Sequence, residues 1–473
     1  MKKYLVTAMA GLLLLAPTAY AATPSTVISA PSPYPAGCDH KDPVGTNYPN
    51  AEVQPDIAVD PRNPAHMVSA WQTDRWSGVG GHGLVTAATF DGGRTWTRAT
   101  PAVSTCAGGG FDRATDTQVT IAPNGMVFLV SLSMNTVTPQ GDHALLVVKS
   151  GDGGRSWGAP TTIIREGTGD TSNIWNDLPA IYATGRDVYV AWDRINLNDG
   201  TAPIYLAHSA DGGATWGEPR KVVDFGAGNG VSGVRLATAQ GNSTLDSSTQ
   251  GSSTHGSSTQ GNLVAFFSYY QLKPDGSYDQ SWQSIRSADH GETWSAPTVV
   301  GPVKSVGTTE PGGKGVRDGH DIFGQLAAGP HGELRAVWQG SQFAGDHDGA
   351  VLATSTDGGA TWSAPVPVGS SPAQQFMPAV AVNSDGVVGV TYYQLDSTGT
   401  SYWLATSANG TSWRTSKLAG PFDITAAPVV NAGQYYVGDF HGMAAAGPCF
   451  VSVFAKTNSG QPDNRTDIVF TVG

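Results

Sequence analysis

The chain has 473 residues, a formal net charge of −12 and only 14% charged residues, together with 61 glycines and 13 tryptophans. An acidic chain with no cluster of Lys and Arg lacks the basic face that phosphate binding needs, which excludes a nucleic-acid partner. Few charges, many glycines and many aromatics suit short strands joined by tight turns.

Lys2 and Lys3 precede an apolar run over residues 5–16, and Ala19 and Ala21 then form a small-x-small cleavage pattern. The run is about 12 residues, whereas a bilayer span needs ~20. Residues 1–21 therefore read as a signal peptide cleaved near Ala21, and no later segment is long and apolar enough to cross a membrane. A secreted monomer, extracellular or periplasmic, with one domain over residues 22–473, is expected.

Residues 26–32 read as a strand. Beyond them, alternating apolar runs come in pairs, each pair joined by a turn rich in Pro, Gly, Asn or Asp: 55–71, 118–130, 179–192, 234–270, 323–338, 378–393 and 437–454. A third strand, such as 204–208, follows the pair, and a fourth, such as 294–300, closes the unit. Between third and fourth strands stands one motif: Ser or Thr, any residue, Asp, Gly or His, Gly, any residue, Ser or Thr, Trp. Its aspartates are Asp91, Asp152, Asp211, Asp289 and Asp357, and a shortened copy carries Asn409. The copies recur about every 60 residues. Asp accepts turn N–H groups, Gly supplies positive φ, and Trp lays an apolar face on neighbouring strands.

Seven strand pairs predict an all-β, seven-bladed β-propeller of four-stranded antiparallel blades, with six blades if the terminal unit is only a seal. The last unit stops after its third strand at 467–472, so residues 26–32 are expected to supply the fourth and close the ring. The Ser/Thr/Gln/Gly-rich stretch 242–260 interrupts one strand pair and reads as a disordered insertion. Cys38 precedes the first unit's inner strand and Cys106 follows its outer strand. Both fall in loops at the same end, which predicts a Cys38–Cys106 disulfide and a free, largely buried Cys449.

The repeated motif is the Asp-box, and it resembles the repeat of bacterial sialidases and other β-propeller proteins; residues 438–442 and 464–467 also look like exported sialidase-like proteins. The resemblance implies a glycoside hydrolase of exo-α-sialidase type. Such an enzyme uses three arginines on the substrate carboxylate, a Tyr nucleophile assisted by Glu, and an Asp acid/base. The Phe/Tyr-Arg-Ile-Pro motif that carries the first arginine is absent, since Arg194 and Ile195 are followed by Asn196. Strand order puts the boxes at one end and the blade-to-blade and strand 2–3 loops at the other, where the site is expected. From those loops, Arg75, Arg113, Arg194 and Arg317 are candidate carboxylate binders and Trp76 a stacking platform. Tyr270 or Tyr393 is the candidate nucleophile with Glu52 as partner, and Asp74, Asp116 or Asp318 the candidate acid. Two further readings are a glycosidase acting on another polysaccharide through paired carboxylates, and a non-catalytic propeller that binds a glycan or protein. No cofactor is implied; the loop around Asp346 and Asp348 is oxygen-rich enough for a structural Ca²⁺ but lacks EF-hand spacing, so a solvated loop is the preferred reading.

Overall fold

The computed structural model describes residues 25–39, 45–135, 141–167, 173–239, 261–430 and 433–473. The expected signal peptide (1–21) and the low-complexity insertion (242–260) lie outside the described residues. The flanks of that insertion, Asn229–Ala239 and Asn262–Leu272, pair directly, with Ala239 opposite Asn262.

The chain is all-β. Among the described residues, seven four-stranded antiparallel sheets follow one another in sequence. The first sheet comprises Val53–Asp60, Asn63–Thr73, Gly83–Thr89 and Thr97–Ala99. The next five begin with Arg113–Ile121, Ile174–Thr184, Asn229–Ala239, Gln325–Ala328 and Gln374–Val382, and each runs through consecutive strands. The seventh is formed by Gly442–Ala446, Cys449–Thr457 and Thr466–Val472, and its fourth strand is Thr26–Val27 from the start of the chain. Thr26 lies opposite Phe470 and Val27 opposite Val469. A small mixed sheet joins Thr308–Thr309, Gly315–Arg317 and Tyr435–Tyr436, the last two running parallel. The seven sheets coincide with the seven predicted strand pairs. Among the described residues no helix is long and apolar enough to cross a membrane.

The second strands are buried on both faces along most of their length, and the fourth strands are largely exposed. Trp71, Trp192 and Trp338 on second strands are at most 1% exposed, each contributing at most roughly 4–6 kcal/mol of transfer free energy. A separate apolar core lies between each successive pair of sheets. Examples are Val68 with Leu129, Phe128 with Trp192, Tyr189 with Phe267, Trp282 with Trp338, and Val337 with Tyr392. The largest cluster joins the sixth and seventh sheets to the first, through Tyr393, Tyr402, Phe454, Phe470 and Met67.

The Asp-box turns make the expected bonds. Asp91 Oδ1 accepts from the Arg94 and Thr95 amides at 3.0 and 2.9 Å, and Oδ2 from the Thr95 hydroxyl at 2.6 Å. The Thr89 hydroxyl donates to Asp91 and accepts from the Gly93 amide. Asp152, Asp211, Asp289 and Asp357 repeat this pattern, and Asn409 retains its backbone half. Cys38 and Cys106 are disulfide-bonded, while Cys449 is free and only half-buried.

Candidate functional site

The candidate site lies at the end opposite the Asp-boxes, where the first strands begin. In five sheets the first strand carries one extra residue against its neighbour, a β-bulge between Val53 and Asp56, Thr115 and Gln118, Asp177 and Ala180, Ser232 and Arg235, and Phe376 and Ala379. The bulged residues Gln54, Asp116, Leu178, Gly233 and Met377 all have positive φ, between 47° and 66°. A bulge re-aims the side chain it carries, and left-handed backbone at a non-glycine residue costs of order 1–3 kcal/mol. At Gly233 a Cβ would stand 2.0 Å from the Ile322 carbonyl oxygen, so only glycine fits. The bulges gather side chains from separate sheets around one centre.

The floor of that centre is apolar. Leu178, Phe323 and Phe440 pack together, with the two rings 5.4 Å apart. The buried Arg235 guanidinium lies 5.0 and 5.2 Å from these rings. Burial depresses its pKa to about 10, and Asp56, Asp116 and Asp193 work in the opposite direction.

Above the floor stands a polar cluster. Gln54 Nε2 donates to Asp116 Oδ1 at 3.0 Å and to Asp439 Oδ2 at 3.1 Å. Arg317 grips Asp439 with two bonds, Nε to Oδ1 at 2.8 Å and Nη2 to Oδ2 at 3.2 Å. The Tyr436 hydroxyl donates to Asp439 Oδ2 at 2.9 Å. Two guanidinium groups lie over its ring, Arg75 at 4.7 Å and Arg317 at 5.5 Å from the centroid.

The carboxyls divide by environment. Burial, and then the charge of Asp439, push Asp116 above the usual carboxylate range. Burial beside Asp116 pushes Asp177 up to about 7, and burial beside Asp177 holds Asp193 well above its ordinary value. Asp439 is the carboxyl that Arg317 grips with two bonds and that Gln54 and Tyr436 also hold.

Of the predicted site residues, the structure brings Asp116, Arg317 and Arg75 to this centre. Arg75 is 2% exposed and donates to Gln72 and to the Gly78 carbonyl, so it is a wall and not a free fork. Arg113 stacks over Trp76 at 4.4 Å, and Trp76 is buried with its indole N–H on Asp39 at 2.7 Å. Arg194 is held by Glu166 at 2.6 Å. Asp74 fastens the N-terminal segment, accepting from the Asn50 amide, the Ser32 hydroxyl and His82. Asp318 accepts from the Thr308 amide, Gln339 and His320. Glu52 is buried, bonded to the Thr73 hydroxyl, and burial raises its pKa well above the ordinary value.

The two candidate tyrosines part company. Tyr393 has no exposed surface, and its hydroxyl both donates to the Ala455 carbonyl and accepts from the Ala455 amide, which removes it from any ligand. Tyr270 lines a cavity of about 620 Å³ beside the centre. Near the calcium candidate, Asp348 is fully buried and accepts from the Val306 and Gly307 amides and Gln339.

The centre also holds residues that sequence reasoning did not single out as site residues: Gln54, Asp177, Asp193, Arg235, Tyr436 and Asp439. One signal pointed to Arg235, a lone charge inside the apolar run of Val234 and Leu236. Nothing local marked Tyr436.

Residues 198–438 match a BNR repeat-like domain. Solved structures similar to this chain include an α-L-arabinofuranosidase from Fusarium graminearum, at 11% identity over 96% of this chain and 98% of that one, with a TM-score of 0.49. A sialidase from Trypanosoma rangeli is 13% identical over 75% of this chain and 54% of its own, at a TM-score of 0.45. A protein from Dyadobacter fermentans is 17% identical over 76% of this chain and 94% of its own, also at 0.45. Among curated proteins there is no match. The matched segment spans half of the sequence, and the chain belongs to the BNR repeat-like domain family.

Proposed function

We propose that this chain is a secreted glycoside hydrolase, built as a closed seven-bladed β-propeller, that cleaves a glycan with Asp116 and Asp439. Closure is supported by the core joining the seventh sheet to the first and by the pairing of Thr26–Val27 with the last strand. The Cys38–Cys106 disulfide suits an oxidising compartment, in keeping with the signal peptide read from the sequence.

The observation that carries the proposal is the Gln54 bridge. Two carboxyl oxygens bonded to one nitrogen are at most about 6 Å apart, near the shorter of the two glycosidase spacings. Asp116, whose pKa burial and its neighbour's charge raise, gives its proton to the leaving glycosidic oxygen as the C–O bond breaks. Asp439, oriented by Arg317, adds to the sugar carbon from the other face, and is released by water that Asp116 then deprotonates.

One observation favours a second reading. Tyr436 has the guanidinium groups of Arg75 and Arg317 over its ring, which brings together the residue types that an exo-α-sialidase uses as nucleophile and carboxylate binders. The test is a panel of neutral aryl glycosides, polysaccharides and a fluorogenic α-sialoside offered to the mature protein. Cleavage confined to neutral substrates supports the carboxyl pair. Cleavage of the sialoside, lost in Tyr436→Phe, supports the second reading. Binding without cleavage of any substrate overturns both in favour of a glycan-binding propeller.

A further inference from the structure

The cavity beside the centre is formed where the third and fourth sheets meet. Its walls come from the strand 2–3 loops of both sheets and from the segment leading into the fifth sheet. Three of its lining residues are large apolar side chains left open to solvent, Leu197 at 52%, Leu272 at 45% and Tyr278 at 56%. A soluble chain scatters such residues singly; gathering three on one cavity marks a binding surface. Tyr270 and Tyr278, both on the cavity wall, meet edge to face, 5.8 Å between centroids at 87°. Ser268 also lines the cavity, and its hydroxyl is buried with no hydrogen-bond partner among the described residues.

The cavity adjoins the carboxyl cluster. Ser232, on its wall, precedes the bulged Gly233, and Tyr270 lies within the field of Asp193, whose charge adds to burial in raising the tyrosine's pKa. Among the described residues its charged lining residues are Asp199 and Asp321, and no Lys, Arg or His lines it. An anionic unit would be repelled there. Apolar and aromatic walls with a few hydroxyl, amide and carboxyl groups instead match the mixed faces of an uncharged sugar.

We infer that this cavity is a second saccharide subsite that holds an uncharged sugar adjoining the unit at the Asp116–Asp439 centre, so that the substrate is a glycan chain of at least two units with a neutral residue at this position. The inference rests on the glycan reading of the centre.

The test is binding of the full mature protein to an array of neutral oligosaccharides of two to six units beside sialylated counterparts, compared with Tyr278→Ala and Leu197→Asp. Both positions are about half exposed, and melting temperatures verify the fold. The inference expects neutral chains to bind and Tyr278→Ala to weaken them about ten-fold, the size of one lost stacking contact. The loss should be smaller for a disaccharide whose second unit leaves the cavity partly empty. Equal binding by wild type and Tyr278→Ala, no binding of any neutral chain, or tighter binding when the added unit is sialic acid would overturn it. Tyr278-dependent binding without cleavage keeps the subsite and removes the hydrolase. Cleavage that is indifferent to Tyr278 and Leu197 keeps the hydrolase and removes the subsite.

Discussion

Asp116 and Asp439 accept hydrogen bonds from the same atom, Nε2 of Gln54, at 3.0 and 3.1 Å. One amide thereby fixes two carboxyls from distant parts of the chain, and the charge of Asp439 adds to burial in raising the pKa of Asp116. The Gln54 carbonyl oxygen is in turn an acceptor for the Thr115 hydroxyl at 3.3 Å, so the bridge is itself held.

Gln54→Leu leaves two buried carboxyls without their common donor. Urea unfolding should show a loss of about 1–3 kcal/mol, and turnover should fall with it. An unchanged midpoint and unchanged turnover would show that the bridge is incidental.

The acid role of Asp116 sets the alkaline side of the pH profile. Because its pKa is raised, turnover should fall as pH rises and the carboxyl ionises. Asp177→Asn removes a neighbouring carboxyl and should move that limb to lower pH. A limb that stays in place, or moves upward, would remove Asp116 from the acid role.

Stability should fall on the alkaline side through two histidines. His82 lies between Asp39 and Asp74, and His320 beside Asp318; burial opposes their charge, yet these partners raise both pKa values to about 9. A raised histidine stabilises the fold fully below its unfolded value of ~6.5, and the gain is lost as pH climbs through the folded value. Melting temperature should therefore decline between pH 6.5 and 9 or slightly above. The decline should flatten in a His82→Asn, His320→Asn double variant, and a slope identical to wild type would contradict the assignment.

Replacing Cys38 and Cys106 together by Ser opens a cross-link that spans 68 positions. The expected cost is about 2–4 kcal/mol, read by chemical denaturation against the wild type under non-reducing conditions. No change would mean that the Asp74–His82 contacts alone hold the N-terminal segment.

The sheets were legible because their signals are local. An Asp-box turn is complete within eight residues, and each strand pair shows its alternation around a turn. The centre was less legible because bulges assemble it. Nothing near Gln54, Asp116 or Leu178 announces a positive φ in a residue that usually avoids it. Asp439 was visible only as part of a loop, since its meaning comes from Arg317, more than a hundred residues earlier. Tyr393 misled for a related reason. Its strand continues to Asp396, so the tyrosine pair lies within the sheet and Tyr393 points into the core joining the sixth and seventh sheets. Arg113 and Trp76, expected from their loops to face a ligand, hold each other.

The most direct measurement is turnover, on a glycan that the wild type cleaves, by Asp116→Asn and Asp439→Asn proteins whose melting temperatures match the wild type. The carboxyl pair predicts that each variant loses at least about a hundred-fold, the scale of positioned acid–base catalysis. Either variant retaining turnover within about ten-fold of the wild type, roughly 1.4 kcal/mol of barrier, would contradict the pair as the reacting groups.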